Sequence, residues 1–205
     1  MNRRFEKKNK RKARSYKPSI LIAAEGEHIT EQVYIGGFRS YECPYNIRFV
    51  PGRETDPISL IDNLNNAWKK DGYDEDFGDL KIVVIDLDNS KEKATLLQDL
   101  IQEHKDIEFI ISNPTFEIWY MFHFEENPKR YLKTKELIND LQRYIKDYKK
   151  SGNFNDVLYP RTETAIKNCK NKEINQNDLY FWPDVDCNPR TDMHSLVEIL
   201  HRKTN

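Results

Sequence analysis

The sequence has 205 residues, of which 38% are hydrophobic and 33% are charged, and its formal net charge is −1. It contains no run of about 20 apolar residues and no apolar segment near the N-terminus, which argues against a membrane span and a secretory signal. The three cysteines form no CxxC pair, so we expect neither a zinc site nor a disulfide framework, and we predict a protein of the reducing cytoplasm.

The charge is distributed unevenly along the chain. Residues 1–17 contain nine Lys or Arg and one acid, whereas residues 18–205 contain 24 Lys or Arg and 33 acids. A basic tail on an acidic body is typical of nucleic-acid-binding proteins, and a solvated tail that aids solubility explains the composition equally well. We predict a disordered tail with these nucleic-acid-binding residues: Arg3, Arg4, Lys7, Lys8, Lys10, Arg11, Lys12 and Arg14.

Apolar runs alternate with helical patterns between residues 18 and 125. Four runs predict strands, at residues 19–24, 46–50, 80–88 and 107–112. Each is followed by a predicted helix, at residues 30–41, 57–71, 90–104 and 113–124. Asp56-Pro57 and Asn113-Pro114 have the cap-then-proline pattern of helix starts. Because the strands are continuously apolar, both faces of the sheet should be covered, which predicts a Rossmann-like sheet of four parallel strands with helices on both faces.

The remaining residues show no further strand pattern and predict a helical extension. Amphipathic spacing indicates a helix at residues 131–150, and shorter helices are expected at 161–171 and 193–202. A loop rich in Asn, Asp and Pro separates the last two. We therefore divide the chain into a tail at 1–17, an α/β domain at 18–125 and a helical extension at 126–205 that packs on it.

Acidic residues follow the predicted strands at the edge where parallel sheets bind ligands. The first strand ends in EGE from Glu25, the third ends in DLD with Asp86 and Asp88, and Glu117 lies one turn into the helix after the fourth. Clustered carboxylates stay ionised if a cation lies between them, and their oxygens suit Mg²⁺ or Mn²⁺. Only the strand order 2-1-3-4 brings Glu25 beside Asp86. Ordinary loop acids and helix caps remain the alternative interpretation.

These motifs resemble the TOPRIM domain, a catalytic domain of topoisomerases, primases and small RNA-maturing nucleases, in which a strand ends in Glu-Gly and a later strand ends in Asp-x-Asp. The resemblance to the RloB-like family is more extensive and covers residues 18–200. Its segments are "ILIAAEGEHITEQVYI", "GRETDPISLI", "VVIDLDNS", "SNPTFEIWYMFHFE" and "NPRTDMHSLVEIL". Members of that family are bacterial TOPRIM proteins found near restriction and anti-phage loci, often beside an AAA-type ATPase.

The resemblance implies a metal-dependent nuclease that cleaves RNA, tRNA included, or DNA in defence against phage. It implies that Glu25 is a catalytic or metal-binding acid and that Asp86 and Asp88 are the metal pair, with Mg²⁺ or Mn²⁺ as cofactor. The partners expected on this basis are nucleic acid and an AAA-type ATPase. A homo-oligomer remains open.

Four further residues are candidates for supporting roles. Glu27 and Glu31 are plausible supporting acids, and Glu117 matches the family's F-E-x-W element, where it either supports the metal or interacts with the dipole of its helix. His28 lies in the EGE loop, where it could contact phosphate or shuttle a proton.

Two other functions compete with the nuclease. "KIVVIDLDNS" resembles the D-x-D-x-T loop of HAD-type phosphatases, but it follows the third strand rather than the first, and Ser90 stands in place of the threonine. The second alternative is a non-catalytic binding or sensor partner of a defence ATPase, in which the carboxylates serve metal-dependent folding or regulation.

Overall fold

A computed structural model describes residues 17–27, 29–40, 42–177 and 181–201. Within these ranges one sheet contains five strands: β1 Ser19–Ala24, β2 Asn46–Phe49, β3 Leu80–Asp86, β4 Ile107–Asn113 and β5 Arg190–Thr191. Their order is β2-β1-β3-β4-β5. The first four are parallel, and β5 is antiparallel to β4. The predicted α/β fold and the strand order 2-1-3-4 are confirmed, and β5 is an additional edge strand.

The α-helices of the described ranges are α1 Ile29–Gly36, α2 Pro57–Asp71, α3 Lys91–Glu103, α4 Glu117–Phe122, α5 Thr134–Leu141, α6 Asn155–Leu158, α7 Thr162–Asn177 and α8 Met193–His201. None of them is both long enough and apolar enough to cross a bilayer.

Two apolar clusters cover the two faces of the sheet. Alternate residues of β1 point to opposite faces: Ile20 and Ile22 join a cluster that includes residues of α1, α4, α7 and α8, whereas Leu21 and Ala23 pack with α2 and α3. This two-sided burial explains why β1 and β3 are apolar throughout. Because both faces of the sheet are covered, polar groups of the sheet reach the surface at the carboxyl ends of the strands.

The start of α2 agrees with its sequence pattern. The Asp56 carboxylate accepts a hydrogen bond from the Ser59 N–H at 2.9 Å, and Pro57 occupies the first turn. The corresponding prediction for α4 was wrong. The helix begins at Glu117, with Phe116 at the cap position, so Asn113 is not its cap. The Asn113 side chain instead bonds to backbone of the C-terminal segment, because the loop before α4 lies against that segment.

The predicted helix at 131–150 was also wrong over much of its length. Only residues 134–141 are helical, and turns follow to residue 150, with Asp147 in the left-handed region at φ 58°. Ile145 and Tyr148 are nevertheless buried. Successive turns keep an apolar spacing of three to four residues, so the periodicity did not distinguish turns from a helix. Two other helices differ in length, since α1 ends at Gly36 and α7 extends to Asn177.

The predicted nucleic-acid-binding tail lies outside the described residues except for Lys17, and so does His28. The division into an α/β domain and a helical extension stays a prediction. β5 does show that the C-terminal segment returns to the sheet edge beside β4.

Candidate functional site

The carboxyl ends of β1 and β3 form one site. The two strands pair in parallel, with Ala24 beside Val84, so Glu25 and Asp86 emerge at the same edge of the sheet. A Glu25 carboxylate oxygen accepts a hydrogen bond from the Asp86 N–H at 3.2 Å. The Glu25 carboxylate is therefore in contact with the backbone of Asp86.

Gly26 turns the chain immediately after Glu25. Its φ is +65°, and its N–H donates to the Glu54 carbonyl at 2.7 Å. A Cβ at this position would meet no atom within 4 Å, so space is not the constraint. The left-handed backbone is what favours glycine here.

Asp88 lies in a loop with unusual backbone geometry. Asp88 and Asn89 both have positive φ, at 54° and 56°, a region that residues other than glycine enter at a cost. Two contacts hold this backbone: the Asp88 N–H donates to the Pro114 carbonyl at 2.9 Å, and the Asn89 N–H donates to the Asn113 side-chain oxygen at 3.3 Å. The loop after β4 thus fixes the loop after β3.

Three buried or partly buried asparagines, Asn89, Asn113 and Asn188, connect this loop to the C-terminal segment, and we call them the asparagine clamp. The Asn188 amide donates to the Asn89 side-chain oxygen and to the Tyr131 carbonyl, the latter at 2.7 Å, and accepts from the Tyr131 N–H at 3.1 Å. Asn113 donates to the Cys187 carbonyl at 3.1 Å. The clamp therefore ties the Asp88 loop to residues far along the chain.

Lys93, in the first turn of α3, places its ammonium between two of the predicted metal ligands. Its Nζ lies 2.9 and 2.8 Å from the two Glu25 carboxylate oxygens and 3.1 Å from an Asp88 oxygen. The Lys93 and Glu25 side chains are 14% and 20% exposed, so this is a largely desolvated ion pair. Burial raises the pKa of the Glu25 carboxyl, and Lys93 opposes that rise.

A second group of acids lies deeper in the same region. Burial, with Glu31 and Glu117 nearby, raises the pKa of Asp86 well above its ordinary value. Burial also raises the pKa of Glu31 to about 7, with a further contribution from Glu117. Glu117 is 1% exposed and accepts hydrogen bonds from the hydroxyls of Thr115 at 2.8 Å and Tyr148 at 3.3 Å. Burial is the larger cause of both raised pKa values, and the neighbouring acids add to it.

A family model, that of RloB-like protein, matches residues 20–200. The chain belongs to the RloB-like family. Neither a curated protein nor a solved structure matches it. The matched range contains every element of the site described above and excludes the whole basic tail.

Most of the predicted acidic site residues of this RloB-like chain line one cleft of about 280 Å³. Its lining includes five predicted residues, Glu25, Glu27, Glu31, Asp86 and Asp88, together with Lys150. Glu27 is the outlying member, because its exposed carboxylate faces Arg53 at 3.8 Å. Glu117 does not line the cleft and lies behind it, where its carboxylate is 3.4 Å from the ammonium of Lys150.

The cations and the clamp of this RloB-like site were not among the residues predicted from the sequence. Lys93 had a weak signal, because it stands three residues after the Ser90 cap and its N–H donates to the Ser90 hydroxyl at 3.2 Å, which places it in the turn nearest the strand ends. Lys150 and Asn188 had no local signal. Among the described residues, no three His, Cys, Asp or Glu side chains are grouped as a ready-made metal site.

Proposed function

We propose that this RloB-like chain is a Mg²⁺- or Mn²⁺-dependent nuclease with a TOPRIM-type site that cleaves phosphodiester bonds of RNA or DNA in anti-phage defence. The supporting observation is the contact between Glu25 and Asp86 at the ends of adjacent parallel strands, with Asp88 two residues further on. This is the placement that the resemblance to TOPRIM enzymes implies.

The donor set fits a hard divalent cation. The cleft offers carboxylate oxygens from Glu25, Asp86 and Asp88. Burial is the main cause of the raised pKa of Asp86, and a cation bound nearby would favour its ionised form. Mg²⁺ commonly binds through one or two carboxylates and completes its shell with waters and substrate phosphate oxygens. A prearranged cage of three side chains is therefore not required.

The residues of the cleft are suited to different roles because they differ in burial and charge. Glu25, Asp86 and Asp88 would hold the metal, which when bound supplies activation of water and stabilisation of the leaving oxygen. Glu31, with its pKa near 7, is suited to exchange a proton with water at neutral pH. Lys150, whose side chain is 59% exposed, stands where it can contact a phosphate oxygen at the rim.

The decisive experiment is Asp86→Asn, which keeps the shape of the side chain and removes its charge. Cleavage of labelled tRNA, ribosomal RNA and DNA is measured with Mg²⁺ or Mn²⁺, with and without a co-encoded ATPase. We expect cleavage to fall by two or more orders of magnitude while nucleic-acid binding persists, since each ~1.4 kcal/mol of lost transition-state stabilisation is a tenfold loss in rate.

The matched control is Asp62→Asn, which removes the same charge from an exposed position on α2 and should leave cleavage unchanged. If Asp86→Asn and Glu25→Gln both cleave as the parent does, the acids are structural. The function would then belong to a complex with the ATPase.

A further inference from the structure

We propose that Lys93 is a resident counter-cation that competes with the divalent metal for Glu25 and Asp88, so that metal loads only when the Lys93 ammonium leaves these acids. This inference rests on the proposed function and adds a regulatory step to the same site. The Lys93 ammonium offsets the repulsion between the Glu25 and Asp88 carboxylates.

The contacts of Lys93 leave little room for a second cation. An ammonium group has three N–H donors, and three carboxylate oxygens, two from Glu25 and one from Asp88, lie within 3.1 Å of Nζ. Mg²⁺ binds oxygen at about 2.0–2.1 Å, so an ion on the same Glu25 oxygens would lie close to the ammonium charge. Repulsion between the two cations would then drive Lys93 out.

The surroundings of Lys93 allow this exchange without a change of fold. Its backbone is fixed, because the N–H donates to the Ser90 cap in the first turn of α3. The side chain is a flexible four-carbon stem, and Asp88, at the outer end of the contact, is 49% exposed. Displacement therefore requires rotation of one side chain toward solvent.

Displacement of Lys93 links metal loading to the substrate. A phosphodiester that enters the cleft offers anionic oxygens that can accept the ammonium released from Glu25 and Asp88. Because coupling between two binding sites is reciprocal, bound phosphate should tighten metal binding and bound metal should tighten phosphate binding. Metal binding would then be tightest when nucleic acid is present.

The first test measures Mn²⁺ affinity by calorimetry for Lys93→Gln and for the matched control Lys91→Gln. Lys91 is exposed in the same turn of α3, so the control removes the same charge without touching the acids. We expect Lys93→Gln to bind Mn²⁺ at least tenfold more tightly than the parent and Lys91→Gln to bind it as the parent does. In chelator, Lys93→Gln should also melt at a lower temperature than the parent and Lys91→Gln, because Glu25 and Asp88 then lack their counter-charge.

A second measurement needs no substitution and stands if Lys93→Gln fails to fold. Lysines of the parent protein are acetylated briefly with and without Mn²⁺, and modification is read by peptide mass spectrometry. The ion pair should protect Lys93, and Mn²⁺ should increase its modification several-fold while Lys91 stays constant.

The outcomes separate this inference from the proposed function. Mn²⁺ affinity that is equal or weaker in Lys93→Gln, or Lys93 modification that Mn²⁺ does not change, would overturn the competition and leave the metal-dependent nuclease standing. Absence of Mn²⁺ binding in the parent and in every variant would overturn metal dependence itself, and the competition with it.

Discussion

Asn188→Ala tests whether the asparagine clamp holds the site. Asn188 is 6% exposed, and its loss leaves the N–H of Tyr131 without its acceptor, which costs about 1–3 kcal/mol for a buried donor. The hydrogen bonds that Asn188 donates to the Tyr131 carbonyl and to Asn89 contribute about 0.5–1.5 kcal/mol each. The Tyr131 carbonyl still accepts a hydrogen bond from the Asn89 side chain at 3.2 Å in the variant, so it is not left without a donor. We expect the free energy of unfolding to fall by about 2–4 kcal/mol.

The assay is urea unfolding, with Asn175→Ala as the control because Asn175 is exposed on α7. The control should change stability by less than about 0.5 kcal/mol. Asn188→Ala should also weaken Mn²⁺ binding, since Asp88 loses part of the support for its left-handed backbone. A loss below about 1 kcal/mol, together with Mn²⁺ affinity equal to that of the parent, would refute the reasoning.

Two further predictions concern pH and salt. In chelator, the free energy of unfolding should fall as pH rises from about 4.5 to 7, because the folded protein retains a proton on Glu31 that the unfolded chain releases at its ordinary pKa. In urea titrations across this pH range, Glu31→Gln should remove up to roughly 3 kcal/mol of that fall. A pH profile of Glu31→Gln equal to that of the parent would contradict the raised pKa. Deletion of residues 1–16 should flatten the log–log salt dependence of nucleic-acid binding by roughly 0.7–0.9 for each phosphate that the tail neutralises, with cleavage at saturating substrate retained, whereas an equal slope would exclude the tail from binding.

The sheet and the acids could be predicted because their signals are local. Each of the first four strands is a continuous apolar run, and EGE and DLD stand directly at the ends of two of them. Once a parallel sheet was inferred, the contact between Glu25 and Asp86 followed from placing β1 beside β3, and the structure contains that pairing.

The parts that were missed depend on contacts between distant residues. β5 consists of two residues in a loop of Asn, Asp and Pro, and only pairing with β4 makes it a strand. Lys93 resembles any charged residue in a first helical turn until the strand ends are placed beside it. Asn113 matched a cap pattern, and only its hydrogen bonds to the C-terminal backbone show what it binds.

The asparagine clamp also has a consequence for the order in which the site forms during synthesis. Asn188 follows Asn89 by 99 residues, so the Asp88 loop lacks this support until residues near the end of the described chain have been made. At about 5–20 residues per second, a ribosome needs roughly 5–20 s to cover that distance. A nascent chain would spend this interval with its acids incompletely positioned, beside the ribosomal and transfer RNA that are candidate substrates of the proposed nuclease.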